Sequence, residues 1–177
     1  MQLVIELPPR GEQIAFNRRR WEEVCADRTL ARLPGKIETN AHGTVLMMPP
    51  PSGNHSSRQG EIAFILRSLL GGRAIPECPI STIDGVRAAD VGWYSDARFA
   101  RVQGQIAFET APEICVEVIS PSNTPWEMRE KRQLYFEAGA EEVWLCAEDG
   151  AMSFFHRAEP DEILARSFRC PEFPQAV

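Results

Sequence analysis

Lysine is almost missing from this chain: of 19 basic residues only Lys36 and Lys131 are lysines, and the rest are arginines. Against 25 acidic residues this leaves a net charge of −6. That balance counts against a simple nucleic-acid coat, which needs a basic surface to neutralise phosphates. The five cysteines (Cys25, Cys78, Cys115, Cys146, Cys170) are odd in number, scattered, and form no CxxC pair. A disulfide framework and a zinc ribbon are therefore disfavoured, and reduced thiols in a cytoplasm are expected. No apolar stretch approaches the length of a bilayer crossing. The opening MQLVIELPPRGEQ has too short an apolar run for a signal peptide and no basic segment before it. A soluble, cytoplasmic protein is the expectation. Internal repeats, low-complexity tracts, a GxSxG elbow around Ser120 and a ladder of basic and aromatic residues are all missing as well.

What is present suits one globular domain over 1–177, long enough to bury a core without staples. Phe16 to Ala26 reads as a short helix with Trp21 and Val24 inward, its Arg18-Arg19-Arg20 triplet a solvated face beside Glu22 and Glu23. KIETN, the turn AHG and TVLMM read as a hairpin closed by Pro49 to Pro51. A helix is expected from about His55 to Leu70, with Ile62, Ile65, Leu66 and Leu69 on one face and Gly71-Gly72 at its end. Short strands follow at Cys78 to Ile83 and Ala89 to Trp93, split by Asp84-Gly85, and then a loop to Ala111-Pro112. Strands are also expected at Glu142 to Ala147 and Met152 to His156. The tail beyond Pro160 alternates weakly.

The segment Glu113 to Ile119 is the most informative. Ile114, Val116 and Val118 alternate with Cys115, Glu117 and Ile119, so both faces are apolar except at Glu117. A lone carboxylate in such a strand costs several kcal/mol in order of magnitude unless a cation or donors satisfy it. The next helix can supply the cation. Thr124-Pro125-Trp126-Glu127 is a capping box with proline at the first helical position, and Gly139 stops the helix near Ala138. Met128, Lys131, Tyr135 and Ala138 then share one face, so Lys131 points to the sheet.

Asp90, Glu117 and Lys131 together fit metal-dependent phosphodiester hydrolysis. A divalent cation needs hard oxygen ligands, here the carboxylates of Asp90 and Glu117 with the main-chain carbonyl of Val118. Magnesium keeps several of its own waters, so two or three protein oxygens suffice, and manganese would serve too. A lysine beside them can orient the attacking water and offset charge on the transition state. The same outline also fits a buried structural ion pair between Glu117 and Lys131. Asp90 by itself fits a strand edge. His55 reads as a helix-entry residue, His42 and His156 as turn and strand-end residues, Tyr135 as packing, and Trp93, Trp126 and Trp144 as core.

These motifs resemble the Uma-two family of restriction endonucleases, a branch of the PD-(D/E)XK nuclease superfamily. RAADVGWY, APEICVEVISPSNT, REKRQLYFEAGAEEVWL and KIETNAHGTVLMMPPPSGNH carry the resemblance over about Lys36 to Phe155. It implies an α/β (α+β) fold with a restriction-endonuclease-like core, a mixed sheet with helices packed on it. It also implies a catalytic set in which Asp90 takes the aspartate, Glu117 the second acid, Lys131 the lysine, and Glu38 an upstream acid approaching the same pocket. The superfamily lysine usually lies two residues after the acid, where this chain has Ile119; such proteins are thought to move it to the next helix. Ala89 replaces the proline of the aspartate motif, and Ala41-His42-Gly43 a glycine-acid turn. The expected activity is magnesium- or manganese-dependent cleavage of DNA. A two-fold homodimer is expected if both strands of a duplex are cut. The competing expectation is a catalytically lapsed module that binds nucleic acid or a protein partner.

Overall fold

The computed structural model describes residues 9–177, so the apolar run at the start of the chain lies outside the described residues. Two short strands, β1 (Ile37–Thr39) and β2 (Val45–Met47), pair as the expected hairpin, with Ile37 opposite Met47. The main sheet has six strands in chain order: β3 (Arg73–Thr82), β4 (Gly85–Tyr94), β5 (Ile114–Val118), β6 (Glu142–Cys146), β7 (Met152–His156) and β8 (Glu159–Leu164). Every neighbouring pair is antiparallel except β5 and β6, which are parallel. Parallel neighbours need a crossover, and the helix α4 supplies it.

The helices are α1 (Arg10–Ala26), α2 (Gly53–Leu70), α3 (Asp96–Val102) and α4 (Pro125–Glu137). In α4 Thr124 accepts from Glu127 N–H while the Glu127 carboxylate accepts from Thr124 N–H at 2.7 Å, closing the capping box; Gly139, at φ 110°, takes the left-handed conformation past its end. Helix α2 begins at the Ser52 cap, and its buried residues Ile62 and Leu66 pack against Val91, Ile114, Val116, Val118 and Trp144. On the opposite face Cys115 joins Tyr135 of α4, Ala138 at its C-terminal cap, and Val143. The sheet is thus covered on both faces at β5, whose five residues are all buried.

Several expectations fail for identifiable reasons. Helix α1 starts at Arg10, well before Phe16, because its first inward positions are the polar Gln13 and Asn17, which bury against each other and against Ser81 and the Thr82 carbonyl. The stretch expected as loop after Trp93 contains α3, capped by Ser95 but only seven residues long. Trp126 is 70% exposed, because its place in the first turn of α4 faces away from the sheet. Leu69 is exposed at the end of α2. The weakly alternating tail forms β8 at the edge of the sheet. All five cysteines are free thiols. No helix among the described residues is long and apolar enough to cross a membrane.

Candidate active site

The site forms where β4 and β5 stop pairing. Their backbone ladder runs from Trp93–Ile114 to Val91–Val116 and ends there. The next donor along β5, the N–H of Val118, goes instead to the Asp90 side chain: it donates to Oδ2 at 2.7 Å. Asp90 is thereby fixed against β5 by a hydrogen bond that would otherwise belong to the sheet.

The other Asp90 oxygen, Oδ1, faces cations. Lys36 Nζ lies 2.8 Å from it and His55 Nε2 lies 3.4 Å from it. Lys36 stands one residue ahead of β1, and His55 lies in the first turn of α2. Gln59, one turn further along α2, donates to the Asp90 carbonyl at 2.8 Å and to Glu77 Oε1 at 2.9 Å. Glu77 sits between the paired residues Pro76 and Cys78 of β3 at φ 49°, a conformation non-glycine residues rarely adopt and one that clusters at functional sites.

Lys131 bridges two further acids. Its amine lies 3.0 Å from Glu38 Oε1 and 3.2 Å from Glu117 Oε2. Tyr135, one helical turn beyond, donates its hydroxyl to Glu117 Oε1 at 2.5 Å. Glu38 is fully buried rather than at a pocket edge; it also accepts from Ala88 N–H at 3.1 Å and from Arg87 at 3.3 Å. Asp90 and Glu117 are 3% and 4% exposed, so all three carboxylates are held inside the protein.

Burial penalises each of these charges, and the neighbours decide the outcome. For Asp90, burial works against ionisation, but the His55 contact, the Lys36 charge and the Val118 N–H outweigh it and hold the carboxyl well below its usual range. For Glu38, burial is likewise overcome by Lys131, Lys36 and the Ala88 N–H, and its pKa falls. Glu117 goes the other way: burial, with the added repulsion of Asp90 and Glu38, outweighs Lys131 and Lys36 and pushes its pKa up. Lys131 is pushed up too, since Glu117 and Glu38 overcome its burial. The amine is therefore charged at neutral pH.

The raised Glu117 is the test of whether a cation suits this place. Burial is the largest cause of its shift, with the Asp90 and Glu38 charges adding to it, and a cation held beside the carboxylate would offset that penalty. The donors are hard carboxylate oxygens, which fit magnesium or manganese and not a soft-ligand metal. Among the described residues no three His, Cys, Asp or Glu side chains form a ready cage for a metal. Magnesium needs none, because water fills most of its octahedron.

All residues singled out from the sequence thus lie in one place: Asp90, Glu117, Lys131, Glu38 and the Val118 main chain. Three were passed over. Lys36 carries no periodicity, standing ahead of a three-residue strand. His55 and Tyr135 read as helix entry and packing, yet touch Asp90 and Glu117. The signal for Lys36 was its rarity, since both lysines of the chain end in this cluster.

Residues 27–174 match the family model described as "Uma2: Putative restriction endonuclease". The crystal structure of a putative nuclease belonging to DUF820 from Anabaena variabilis resembles this fold with a TM-score of 0.64 at 20% identity, covering 82% of this chain and 91% of that one. At that identity the likeness concerns the fold alone. No curated protein sequence matches the chain.

Proposed function

The chain belongs to the Uma2 family of putative restriction endonucleases, and on that premise we propose that it is a metal-dependent endonuclease hydrolysing phosphodiester bonds in DNA. One observation carries the reading: a charged amine, Lys131, held 3.0 Å from Glu38 and 3.2 Å from Glu117 beside a strand-fixed Asp90. Asp90 and Glu117, with the Val118 carbonyl, would hold magnesium or manganese. Such an ion, when bound, polarises a phosphoryl oxygen and lowers the pKa of water.

The chain's own residues do the positioning. Tyr135 holds Glu117 through Oε1, and Lys131 donates to both of its oxygens. Glu38 grips the lysine from its other side, so the amine sits at one point. The work of Lys131 is to orient the attacking water and to stabilise negative charge growing on the phosphorane. Val118 N–H and the cations on Oδ1 keep Asp90 ionised.

The net charge of −6 is unfavourable for gripping phosphates and supports a second reading, a catalytically lapsed module of the same fold that binds nucleic acid or a protein partner. One assay separates the two. Supercoiled plasmid and labelled single- and double-stranded oligonucleotides are incubated with a panel of divalent metals. Cleavage with magnesium or manganese, lost with chelator and in Glu117→Gln, is the expected result. Binding without cleavage under every metal would overturn the nuclease reading.

A further inference from the structure

Lys36 is one of only two lysines in the chain, and the hydrolysis described above asks of it only that it help keep Asp90 ionised. Its side chain is 13% exposed, and its amine lies 2.8 Å from Asp90 Oδ1 and 3.6 Å from Glu77 Oε2. The other oxygen, Oδ2, is tied to the strand by the N–H of Val118, which leaves Oδ1 turned toward the side chains of Lys36 and His55. The ammonium therefore rests on the carboxylate oxygen that a bound metal would need. Magnesium sits at about 2.0–2.1 Å from its ligands. An ammonium and a divalent ion sharing one oxygen at such distances repel strongly, more so in a buried site where water screens little.

We infer that Lys36 is a tethered counter-ion: it occupies Asp90 Oδ1 while metal is absent, and is displaced when metal binds. This rests on the reading of Asp90 as a metal ligand. Two features suit Lys36 to exchange. Its backbone is anchored, the carbonyl accepting from Met48 N–H at 2.9 Å, so only the flexible four-carbon stem need move. It also has somewhere to go: Lys36 and Glu77 line a groove of about 510 Å³ with Leu33, Gly35 and Ile37. Lys131 does not line that groove, and its amine donates to Glu38 and to both oxygens of Glu117. Displacement leaves a mobile cation beside the metal site, where the phosphate of a nucleic-acid strand would meet it.

The scarcity of lysine makes the test direct, because amine acylation read by mass spectrometry reports two side chains in the parent protein. Labelling is followed with and without saturating magnesium at matched ionic strength, and calorimetry measures magnesium binding separately. Magnesium is expected to accelerate acylation of Lys36 by about 5- to 150-fold, the usual span of a coupling between two equilibria. Lys131 should change less. Lys36→Met should bind magnesium more tightly, because the competitor for Asp90 Oδ1 is gone. If calorimetry shows binding while Lys36 labels at an unchanged rate, Lys36 is a static ion-pair partner and the inference fails, with the nuclease reading intact. If the parent binds no magnesium at all, the metal-dependent reading fails and takes this inference with it.

Discussion

Strand β5 meets two buried acidic clusters, one at each end, and only one of them uses lysine. At the entrance to the strand Glu113, 2% exposed, accepts from Ser95 N–H at 3.1 Å and lies 3.4 Å from Arg98, which also holds Glu141 at 2.7 Å and the carbonyls of Ala111 and Gly139. Glu142 beside it takes Trp144 Nε1–H at 2.8 Å and the Arg169 N–H at 2.6 Å. At the exit Glu117, 4% exposed, meets Lys131 and Tyr135, with Lys36 on the neighbouring Asp90. The first cluster uses arginine alone, and the second uses both lysines of the chain, with Arg87 on the far oxygen of Glu38. Arginine offers a rigid fork that grips carboxylates and carbonyls at once; lysine is a compact, movable point charge. Equal burial of charge therefore need not mean equal purpose. The arginine cluster joins α3, β5, β6 and the C-terminal segment, and the lysine cluster, which joins β1, α2, β4, β5 and α4, is the one proposed to hold a metal.

The largest effect should come from the lysine end. Glu117→Gln or Asp90→Asn should cut DNA hydrolysis by about 10²–10⁴-fold, since a metal ligand contributes several kcal/mol to the transition state. Glu113→Gln should leave the rate per folded molecule unchanged. Cleavage assays on variants checked by circular dichroism measure both; similar losses at the two ends would erase the distinction. Next comes the arginine end. Arg98→Ala should destabilise by about 3 kcal/mol, the low end for breaking a buried pair because the guanidinium keeps some solvent contact. Urea melts read that loss, and a stability like the parent's would show the cluster is not structural.

The lysine end was the more legible of the two in sequence. Helical spacing set Lys131 between Met128 and Tyr135 on the inward face, and alternation in Glu113 to Ile119 isolated Glu117 as an acid needing a partner. Helix and strand periodicities of this kind are local, and the main elements could be drawn from them. What stayed hidden depends on contacts distant in sequence. Lys36 and Asp90 are 54 residues apart, and Glu38 and Lys131 are 93. No local pattern encodes such meetings, and Glu38 was found only through family resemblance. The arginine cluster went unseen for the same reason, and α3, whose Ser95 both caps the helix and bonds Glu113, was lost with it. Trp126 misled because residue type was allowed to outrank position: a tryptophan in the first turn of a helix can face water.

A smaller effect tests whether Tyr135 belongs to the site or merely packs beneath it. Tyr135→Phe keeps the ring and removes the hydroxyl that meets Glu117 at 2.5 Å. The variant should lose about 1.5–3 kcal/mol, the scale of a hydrogen bond to a charged group, and its kcat should fall while KM holds. An unchanged kcat would return Tyr135 to the core. The smallest effect should lie away from both clusters. Trp126→Ala, at a residue 70% exposed, should shift stability by no more than about 0.5 kcal/mol, measured by thermal melt.

The contrast between the two cations is tested most directly by placing an arginine at the lysine end. Lys131→Arg keeps the positive charge between Glu38 and Glu117 but replaces a point amine with a wide planar fork that cannot occupy the same position. The measurement is the DNA cleavage rate of Lys131→Arg with magnesium, on protein shown by melting to be folded. The account predicts a fold as stable as the parent to within about 1 kcal/mol, the range of a typical single substitution, and hydrolysis reduced by about 10²–10³-fold, the cost of losing one transition-state donor. A Lys131→Arg variant that cuts at the parent rate would contradict it and make Lys131 a structural cation like Arg98.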